Sequence, residues 1–335
     1  MPSASQSCAP FEVELLVLPG FSMMALSATI EPLRSANRIS GEQRYTWLVT
    51  TPGGGMVTAS NGLGIAATAF GQHGRSALTI IVASLGIEEF RTPSVLYALR
   101  QRRSGPMSVG AVSNGSLILG RAGLLRGRRA TIHWEMQAAL ADEFPDSEVV
   151  DKLFTIDREV MTAGGGTAGL DMMLAFIAMR DGREIAGEVA EQFLHGPPRE
   201  GGEAQRLDTR LRYKITNPHL LRAVAIMERS LAEPVRIGRV AELVGVSERQ
   251  LERCFETAFG MSPSDFYMEL RCKAARRRLL DTTDSLETIA ELTGFSSPGH
   301  FSRAFKAWSG VPPSVLRKRS AAMDVGTMQE TGDAT

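Results

Sequence analysis

A single serine stands between two apolar stretches in the run MSVGAVSNGSLILG, residues 107–120. The first stretch ends at Ser113, and Asn114 and Gly115 separate it from the second. This pattern predicts a strand, a tight turn and a helix, the geometry that exposes a nucleophilic serine in some hydrolases. Ser113 is therefore either a nucleophile or part of a corner that binds a ligand without reacting with it.

The nucleophile hypothesis requires a base next to Ser113, because a serine hydroxyl reacts only when its proton is removed. No base lies near Ser113 along the sequence, and His133 is a distant candidate. The alternative for His133 is simple packing against its neighbour Trp134. We therefore predict no catalytic residue and expect the corner to bind.

A second set of residues suited to binding lies in the C-terminal half, where the sequence repeats itself. The run AELVGVS at 241–247 returns as AELTGFS at 290–296. Each copy predicts an apolar helix, a turn at a glycine and a second helix, which is the pattern of a helix-turn-helix unit. Helix pairs that only pack on each other are the alternative.

The second helix of a helix-turn-helix unit enters the major groove of DNA with its N-terminal end first. Arginine can pair with guanine and glutamine with adenine, whereas other contacts reach only phosphate. Ser247 is also suited to cap the second helix of the first copy. The predicted DNA-binding residues are Ser247, Glu248, Arg249, Gln250 and Arg253 in the first copy and Ser297, His300, Arg303 and Lys306 in the second.

The charge distribution supports an anionic partner for this half. Residues 206–319 contain 20 Lys and Arg against 13 Asp and Glu, although the whole chain has no net charge. A basic segment in a neutral chain indicates a local anionic partner, and a solvated basic face is the alternative. A helix predicted over 263–280 joins the two copies, and its arginines 276–278 are suited either to phosphate contacts or to solvent.

The N-terminal half alternates predicted strands with predicted helices. Such alternation predicts a mostly parallel sheet with helices on both faces. The Pro- and Gly-rich segment 195–205 predicts a linker, and only helices are predicted after Pro218. The strands are predicted at 11–18, 45–50, 78–83 and 107–112, and the helices at 23–37, 92–102, 134–143, 169–180 and 184–194.

Cysteine content and hydropathy exclude several classes of protein. The three cysteines are Cys8, Cys254 and Cys272, an odd number without a close pair, so neither a disulfide framework nor a zinc site is expected. We predict no metal and no cofactor. The sequence has neither a basic N-terminal region of a signal peptide nor an apolar run of membrane-spanning length, so a cytoplasmic protein without a membrane partner is expected.

The basic half resembles a known family over residues 218–317. The run IAELTGFSSPGHFSRAFKAWSGVPPS, residues 289–314, is similar to the signature of AraC/XylS-type DNA-binding domains. This resemblance implies a bacterial transcription regulator that binds promoter DNA and works with RNA polymerase. It also implies an all-α domain of two helix-turn-helix units joined by a linker helix.

The first half is similar to PfpI, or class I glutamine-amidotransferase-like, domains over residues 11–205. The runs GLLRGRRATIHW at 123–134 and FPDSEVVDKLFTIDREVMTAGGGTAGLDMMLAFI at 144–177 resemble the GlxA-like regulators, in which this domain precedes an AraC-type domain. The resemblance implies an α/β flavodoxin-like sandwich. Enzymes of this fold have cysteine where this chain has Ser113, and an acidic residue where residues 20–24 read GFSMM.

The resemblance further implies a homodimeric sensor of a small nitrogenous metabolite, such as glycine betaine, carnitine or arginine, that activates amine or amino-acid catabolism genes. Phe21, Trp47 and Trp134 are candidates to surround a quaternary ammonium group, and the corner at Ser113 is suited to a carboxylate. The alternatives are a residual amidase or deglycase that uses Ser113 and an architectural DNA-binding protein without a ligand. The predicted ligand-binding residues are Phe21, Ser22, Met23, Ser113, Asn114, Gly115, His133 and Trp134.

These observations predict five segments along the chain. A ligand-sensing and dimerisation domain over 11–195 and a DNA-binding domain over 218–319 are joined by a linker over 196–217. A disordered N-terminus over 1–10 and a disordered tail over 320–335 complete the prediction.

Overall fold

An eight-stranded sheet forms the centre of the first of two compact units, residues 1–206 and 207–335. The computed structural model describes residues 9–72, 76–84, 86–87, 90–102, 107–206, 209–282 and 284–318. The predicted disordered tail and all but two residues of the predicted disordered N-terminus lie outside the described residues.

The sheet has the strand order β3-β4-β2-β1-β5-β6-β10-β9. All its pairings are parallel except β3 with β4 and β10 with β9, which lie at its two edges. Strands β7 and β8 form a separate parallel pair. The strands are β1 Phe11–Val17, β2 Tyr45–Thr51, β3 Gly55–Thr58, β4 Gly64–Ala69, β5 Leu78–Ala83, β6 Val109–Ser113, β7 Arg129–Ala130, β8 Glu148–Val149, β9 Phe154–Asp157 and β10 Val160–Ala163.

Helices cover both faces of this sheet. Helices α1, α5 and α6 share one apolar core with the sheet, and α2, α3 and α4 share the other. The predicted flavodoxin-like sandwich with a mostly parallel sheet is confirmed. The helices are α1 Met23–Ser40, α2 Pro93–Gln101, α3 Gly115–Arg121, α4 Gln137–Glu143, α5 Ala168–Asp181 and α6 Arg183–Gln192, with a 3-10 turn over Trp134–Met136 before α4.

The alternation of residues in β1 explains how the sheet serves two cores. Val13, Leu15 and Val17 lie in one core and Leu16 in the other, because successive side chains of a strand point to opposite faces. Glu14 points to the second face, is only 1% exposed, and forms an ion pair of 2.7 Å with Arg102 at the end of α2.

Residues 196–205 of the predicted linker are bound to the first unit. Asp171, in the first turn of α5, has a fully buried carboxylate. His195 Nε2 lies 2.9 Å from its Oδ1, and the Arg199 guanidinium donates to its Oδ2 at 2.6 and 3.0 Å. We call residues 195–206 the strap. Prolines and glycines prevent a regular helix here, but they do not prevent side chains from anchoring the segment.

The described part of the second unit consists of helices joined by short turns and loops. It forms two apolar cores, one in each half of the unit. The helices are α7 Thr209–Tyr213, α8 Pro218–Arg229, α9 Ile237–Val244, α10 Glu248–Phe259, α11 Pro263–Asp281, α12 Leu286–Leu292 and α13 Pro298–Ser309. Helix α7 lies inside the predicted linker, and α11 is the predicted helix between the two copies.

The turns within the two copies follow the sequence chemistry. Gly245 has φ 77° and Gly294 has φ 71°, the left-handed conformation that glycine adopts at helix ends. The Ser247 hydroxyl accepts from the backbone N–H of Gln250, and the Gln250 side chain accepts from the Ser247 N–H. This capping box fixes the start of α10.

A side chain from the preceding helix binds the C-terminal carbonyls of α9 and α12, the first helix of each copy. His219 on α8 hydrogen-bonds the Val244 carbonyl through Nδ1 at 2.7 Å. Arg271 on α11 donates to the carbonyls of Thr293 and Gly294 at 2.8 and 2.6 Å and lies over the Phe295 ring. Burial lowers the pKa of Arg271. Each copy, together with the helix before it, is thus a three-helix unit in which a side chain of the first helix hydrogen-bonds the turn between the second and third helices.

Arg271→Met is expected to lower the free energy of unfolding of the second copy by about 2–3 kcal/mol, because the buried Thr293 carbonyl and the partly buried Gly294 carbonyl lose a charged donor. The measurement is hydrogen exchange of the α12 and α13 amides in the full chain across a urea series. Arg276→Met, an exposed position on the same helix, should change stability by less than about 0.5 kcal/mol. Equal effects of the two substitutions would contradict the role of Arg271.

Candidate DNA-binding surface and elbow site

Helix α10 presents its predicted DNA-binding residues to solvent, and all five are exposed. Within the described part of the chain, the guanidinium groups of Arg249 and Arg253 have no hydrogen-bond partner or ion pair. Two of the five already have structural roles, since the Ser247 hydroxyl and the Gln250 side-chain oxygen form the capping box. A bidentate contact of Gln250 with adenine would require that oxygen to leave the cap.

Helix α13 presents a different set of side chains. Ser297 caps the helix by accepting from the His300 N–H at 3.1 Å. The His300 ring is half-buried, packs edge-on against Phe295 and bonds Ser296 through Nδ1 at 3.1 Å. Arg303 and Lys306 are exposed. His300 is therefore oriented by its neighbours, whereas Arg303 and Lys306 extend into solvent.

The two predicted recognition helices carry opposite net charge. Helix α10 contains Glu248, Glu252 and Glu256 against two arginines, and α13 contains Arg303 and Lys306 and no acidic residue. Glu252, Glu256 and Thr257 line the same surface depression as Arg249 and Arg253. The sequence did not predict these three residues, although each lies one or two helical turns from a predicted DNA-binding residue of α10.

The arginines at 276–278 on α11 do not form one uniform patch. Arg276 is exposed, whereas Arg278 is paired with Asp284 at 2.6 Å. Arg277 is half-buried and has interactions of its own. Arg276 is the member of this run most available to a phosphate group.

Ser113 stands at the carboxyl end of β6 with φ 60°. This left-handed conformation is unusual for a residue other than glycine and costs about 1–2 kcal/mol. Ser113 is only 5% exposed, and within the described residues its hydroxyl has no hydrogen-bond partner. The corner thus has the backbone of a nucleophile elbow without the hydrogen-bonded base that nucleophilic catalysis requires.

Asn114 and Gly115 hold this corner in place. The Asn114 backbone N–H donates to the Ala83 carbonyl at 2.9 Å, and its side-chain N–H donates to the Ser84 carbonyl at 2.6 Å. A Cβ on Gly115 would lie 2.6 Å from the Ile81 carbonyl oxygen, so only glycine fits. The Asn114 side-chain oxygen is buried and has no hydrogen-bond partner among the described residues.

The loop after β1 contributes to the core more than to a surface. Phe21 is fully buried and packs in the core beneath α1. Ser22 caps α1 by accepting from the Ala25 N–H, and Met23 is half-buried against the same core. Phe21 as placed here does not reach a surface that a ligand could contact, because its ring fills the apolar layer. Trp47 also packs against this core.

His133 and Trp134 lie beside the corner at residues 113–115, which we call the elbow. The His133 N–H donates to the Ser113 carbonyl at 3.3 Å, while its ring nitrogen Nδ1 lies 3.7 Å from a Glu135 carboxylate oxygen. The rings of His133 and Trp134 are 5.6 Å apart. The Arg206 guanidinium lies over the Trp134 ring, 4.5 Å from its centroid. One face of Trp134 therefore already holds a cation.

A groove of about 380 Å³ lies at the carboxyl ends of β1, β2 and β5. The strand order reverses between β1 and β5, and open α/β sheets bind ligands at such a point. Sequence reasoning missed this groove because it depends on strand order, which strand periodicity does not reveal. Its lining residues include Leu18, Pro19, Thr51, Pro52, Gly86 and Phe90.

The described residues include no cluster of three or more His, Cys, Asp or Glu side chains suited to a metal ion. Among them there is also no helix with the length and apolar character needed to cross a membrane.

Comparison with known proteins identifies both units. The DJ-1/PfpI family model matches residues 12–179, and a helix-turn-helix domain model matches residues 240–319. A solved ThiJ/PfpI family protein from Pseudomonas syringae, 23% identical, aligns with a TM-score of 0.51 over 73% of this chain and 96% of its own, which supports the fold alone.

Two curated relatives extend over nearly the whole chain. The HTH-type transcriptional regulator CdhR of Pseudomonas aeruginosa is 39% identical over 90% of this chain and 90% of its own. The HTH-type transcriptional regulator GlxA of Rhizobium meliloti is 36% identical over 96% of this chain and all of its own. The chain therefore belongs to the family of HTH-type transcriptional regulators that join a DJ-1/PfpI domain to an AraC-type helix-turn-helix domain.

Proposed function

We propose that this regulator activates transcription by binding promoter DNA through α10 and α13 when a small nitrogenous metabolite occupies its first unit. The observation that carries the proposal is the pair of three-helix units, each with a capped third helix, α10 or α13, that presents charged side chains to solvent. The excess of basic residues over 206–319 supports attraction to the phosphate backbone. We also propose that the protein is a cytoplasmic homodimer that acts together with RNA polymerase.

The elbow is the proposed ligand site. Ser113, Asn114 and Gly115 form its floor, and His133 and Trp134 lie beside it. Trp134 supports a nitrogenous cation, because an aromatic face that accepts the Arg206 guanidinium also suits a quaternary ammonium that takes its place. Glycine betaine, carnitine and arginine are the proposed ligand class.

A residual amidase or deglycase is the second candidate, and one observation favours it. Ser113 keeps the left-handed backbone with which hydrolases expose their nucleophile. Against it, no hydrogen-bonded base is present at Ser113 among the described residues. We therefore propose binding without catalysis.

Arg303→Ala is expected to weaken binding to a DNA operator, selected from random sequences with the wild-type chain, by about 1–3 kcal/mol. The reason is that Arg303 is an exposed cation on the more basic of the two proposed recognition helices. The measurement is fluorescence anisotropy over a series of salt concentrations. Arg239→Ala, which removes an exposed arginine of α9 paired with Glu242, is the matched control. Unchanged operator affinity of the Arg303 variant would refute its role.

Ser113→Ala is expected to leave operator affinity within twofold and to reduce thermal stabilisation by the ligand. A ligand at 100 times its Kd stabilises the native state by about 2.7 kcal/mol, and loss of the hydroxyl should remove part of this effect. The measurement is a thermal-shift series with glycine betaine, carnitine and arginine, with Ser40→Ala as the control. Equal shifts in wild type and variant would remove Ser113 from the site.

The same purified proteins decide between binding and catalysis. Amide or glycated-amine hydrolysis by the wild type that disappears in the Ser113→Ala variant would replace our proposal with the enzymatic one. An architectural protein would instead show no saturable stabilisation by any of the three compounds.

A further inference from the structure

The strap contacts the same two short segments that hold the elbow. One segment is Gly164–Gly165, directly after β10, and the other is 132–134, after β7. In each segment, consecutive residues contact the strap and the elbow. The elbow and the end of the first unit are therefore connected twice.

The glycine segment makes the first connection. A Cβ on Gly165 would lie 3.0 Å from Cβ and 3.2 Å from Oγ of Ser113. A Cβ on Gly164 would lie 2.4 Å from Cδ of Gln205. Adjacent Cα atoms are fixed about 3.8 Å apart, so a displacement of Gly165 by an occupant of the elbow also moves the backbone against Gln205.

The segment 132–134 makes the second connection through three successive residues. The carbonyl of Ile132 accepts from Nε2 of Gln205 at 2.7 Å. The N–H of His133 donates to the Ser113 carbonyl, and the ring of Trp134 lies under the Arg206 guanidinium. A change in the position of residues 132–134 therefore affects both the strap and the elbow.

Gln205 anchors the C-terminal end of the strap. Besides Ile132, its side-chain amide lies 2.9 Å from both the Thr131 hydroxyl and the Lys152 carbonyl. An amide has only two N–H donors, so these three oxygens compete for them. A small shift of the surrounding segments therefore redistributes the hydrogen bonds of Gln205.

The covalent path from Gln205 into the second unit is short. Helix α7 begins at Thr209, so three residues, 206–208, separate the two and allow a reach of about 15 Å at most. Helix α7 is itself fixed to α8, because Arg212 pairs with Glu228 at 2.6 Å. Only a short stretch of chain therefore separates Gln205 from a helix that is anchored in the second unit.

We propose that the strap transmits the occupancy of the elbow to the helix-turn-helix unit, with Gln205 as the positioning residue. This inference rests on the proposed function, because it takes the elbow as the ligand site. Linkage requires the effect to be mutual, so that DNA binding changes ligand affinity by the same factor.

The main test compares operator affinity of the full chain with and without glycine betaine, carnitine or arginine. The operator is the DNA selected with the wild-type chain. Gln205→Ala removes the donor, and Gly164→Ala displaces the Gln205 side chain without changing it. Gly187→Ala is the matched control, because a Cβ there meets nothing within 4 Å.

The wild type and the Gly187 variant should change operator Kd at least fivefold on adding the active compound. In the Gln205 and Gly164 variants this ratio should fall below twofold, while thermal stabilisation by the compound persists. A purely structural role would leave the ratio intact. Retention of the wild-type ratio in both variants would overturn the proposal.

A second measurement decides the inference without a ligand. Hydrogen exchange of the His133 amide, which is bonded to the Ser113 carbonyl, should be at least tenfold faster in the Gln205 variant than in the Gly187 control. If none of the three compounds binds the wild type, the proposed ligand class fails and this measurement still tests the connection. Unchanged exchange at His133 would overturn it.

Discussion

The buried carboxylate of Asp171 fixes the C-terminal segment of the first unit. A charged group without exposed surface is tolerated only when donors surround it, and Asp171 receives the Arg199 backbone N–H and guanidinium and lies within hydrogen-bonding distance of His195. The N-terminal end of α5 adds the positive end of the helix dipole. This single requirement draws a Pro- and Gly-rich segment back onto the domain. The boundary between the units therefore falls after Arg206, next to the elbow rather than away from it.

The elbow has the backbone conformation of a nucleophile elbow, although no base is hydrogen-bonded to the Ser113 hydroxyl among the described residues. Holding Ser113 in the left-handed region costs about 1–2 kcal/mol. The hydrogen bonds of Asn114 to the end of β5 and the close approach of Gly115 to Ile81 stabilise that conformation. None of these contacts depends on a base near the hydroxyl. The fold thus maintains a defined polar corner at the carboxyl ends of its strands whether or not a reaction takes place there.

Strong local patterns predicted much of this architecture, and long-range contacts set the limit. Strand β5 was predicted with its observed bounds because a β-branched run ends at turn residues, and the cap at Ser247 followed from its position after Gly245. Strands β3, β4 and β9 were missed because they are short and lack a continuous run of large apolar residues. The attachment of the strap was not predicted because nothing in its composition indicates an ion pair with a residue 28 positions earlier. Burial of Phe21 could not be predicted either, since an aromatic residue after a strand fits a binding site and a core equally well.

The two copies of the helix-turn-helix unit show which positions packing constrains and which positions are free to vary. Leu251 and Phe255 of the first copy correspond to Phe301 and Phe305 of the second, and all four are fully buried. A close-packed interior tolerates little change at such positions, which explains why the repeat remains visible there. The exposed positions are free of that restriction, and they have diverged to an acidic mixture on α10 and a purely basic set on α13. Because phosphate attraction depends on net charge whereas base contacts depend on individual side chains, the two helices are not electrostatically interchangeable despite their common fold. The similarity between the copies therefore reflects the packing of their cores. Their differences lie at exposed positions, where each helix can contact a partner.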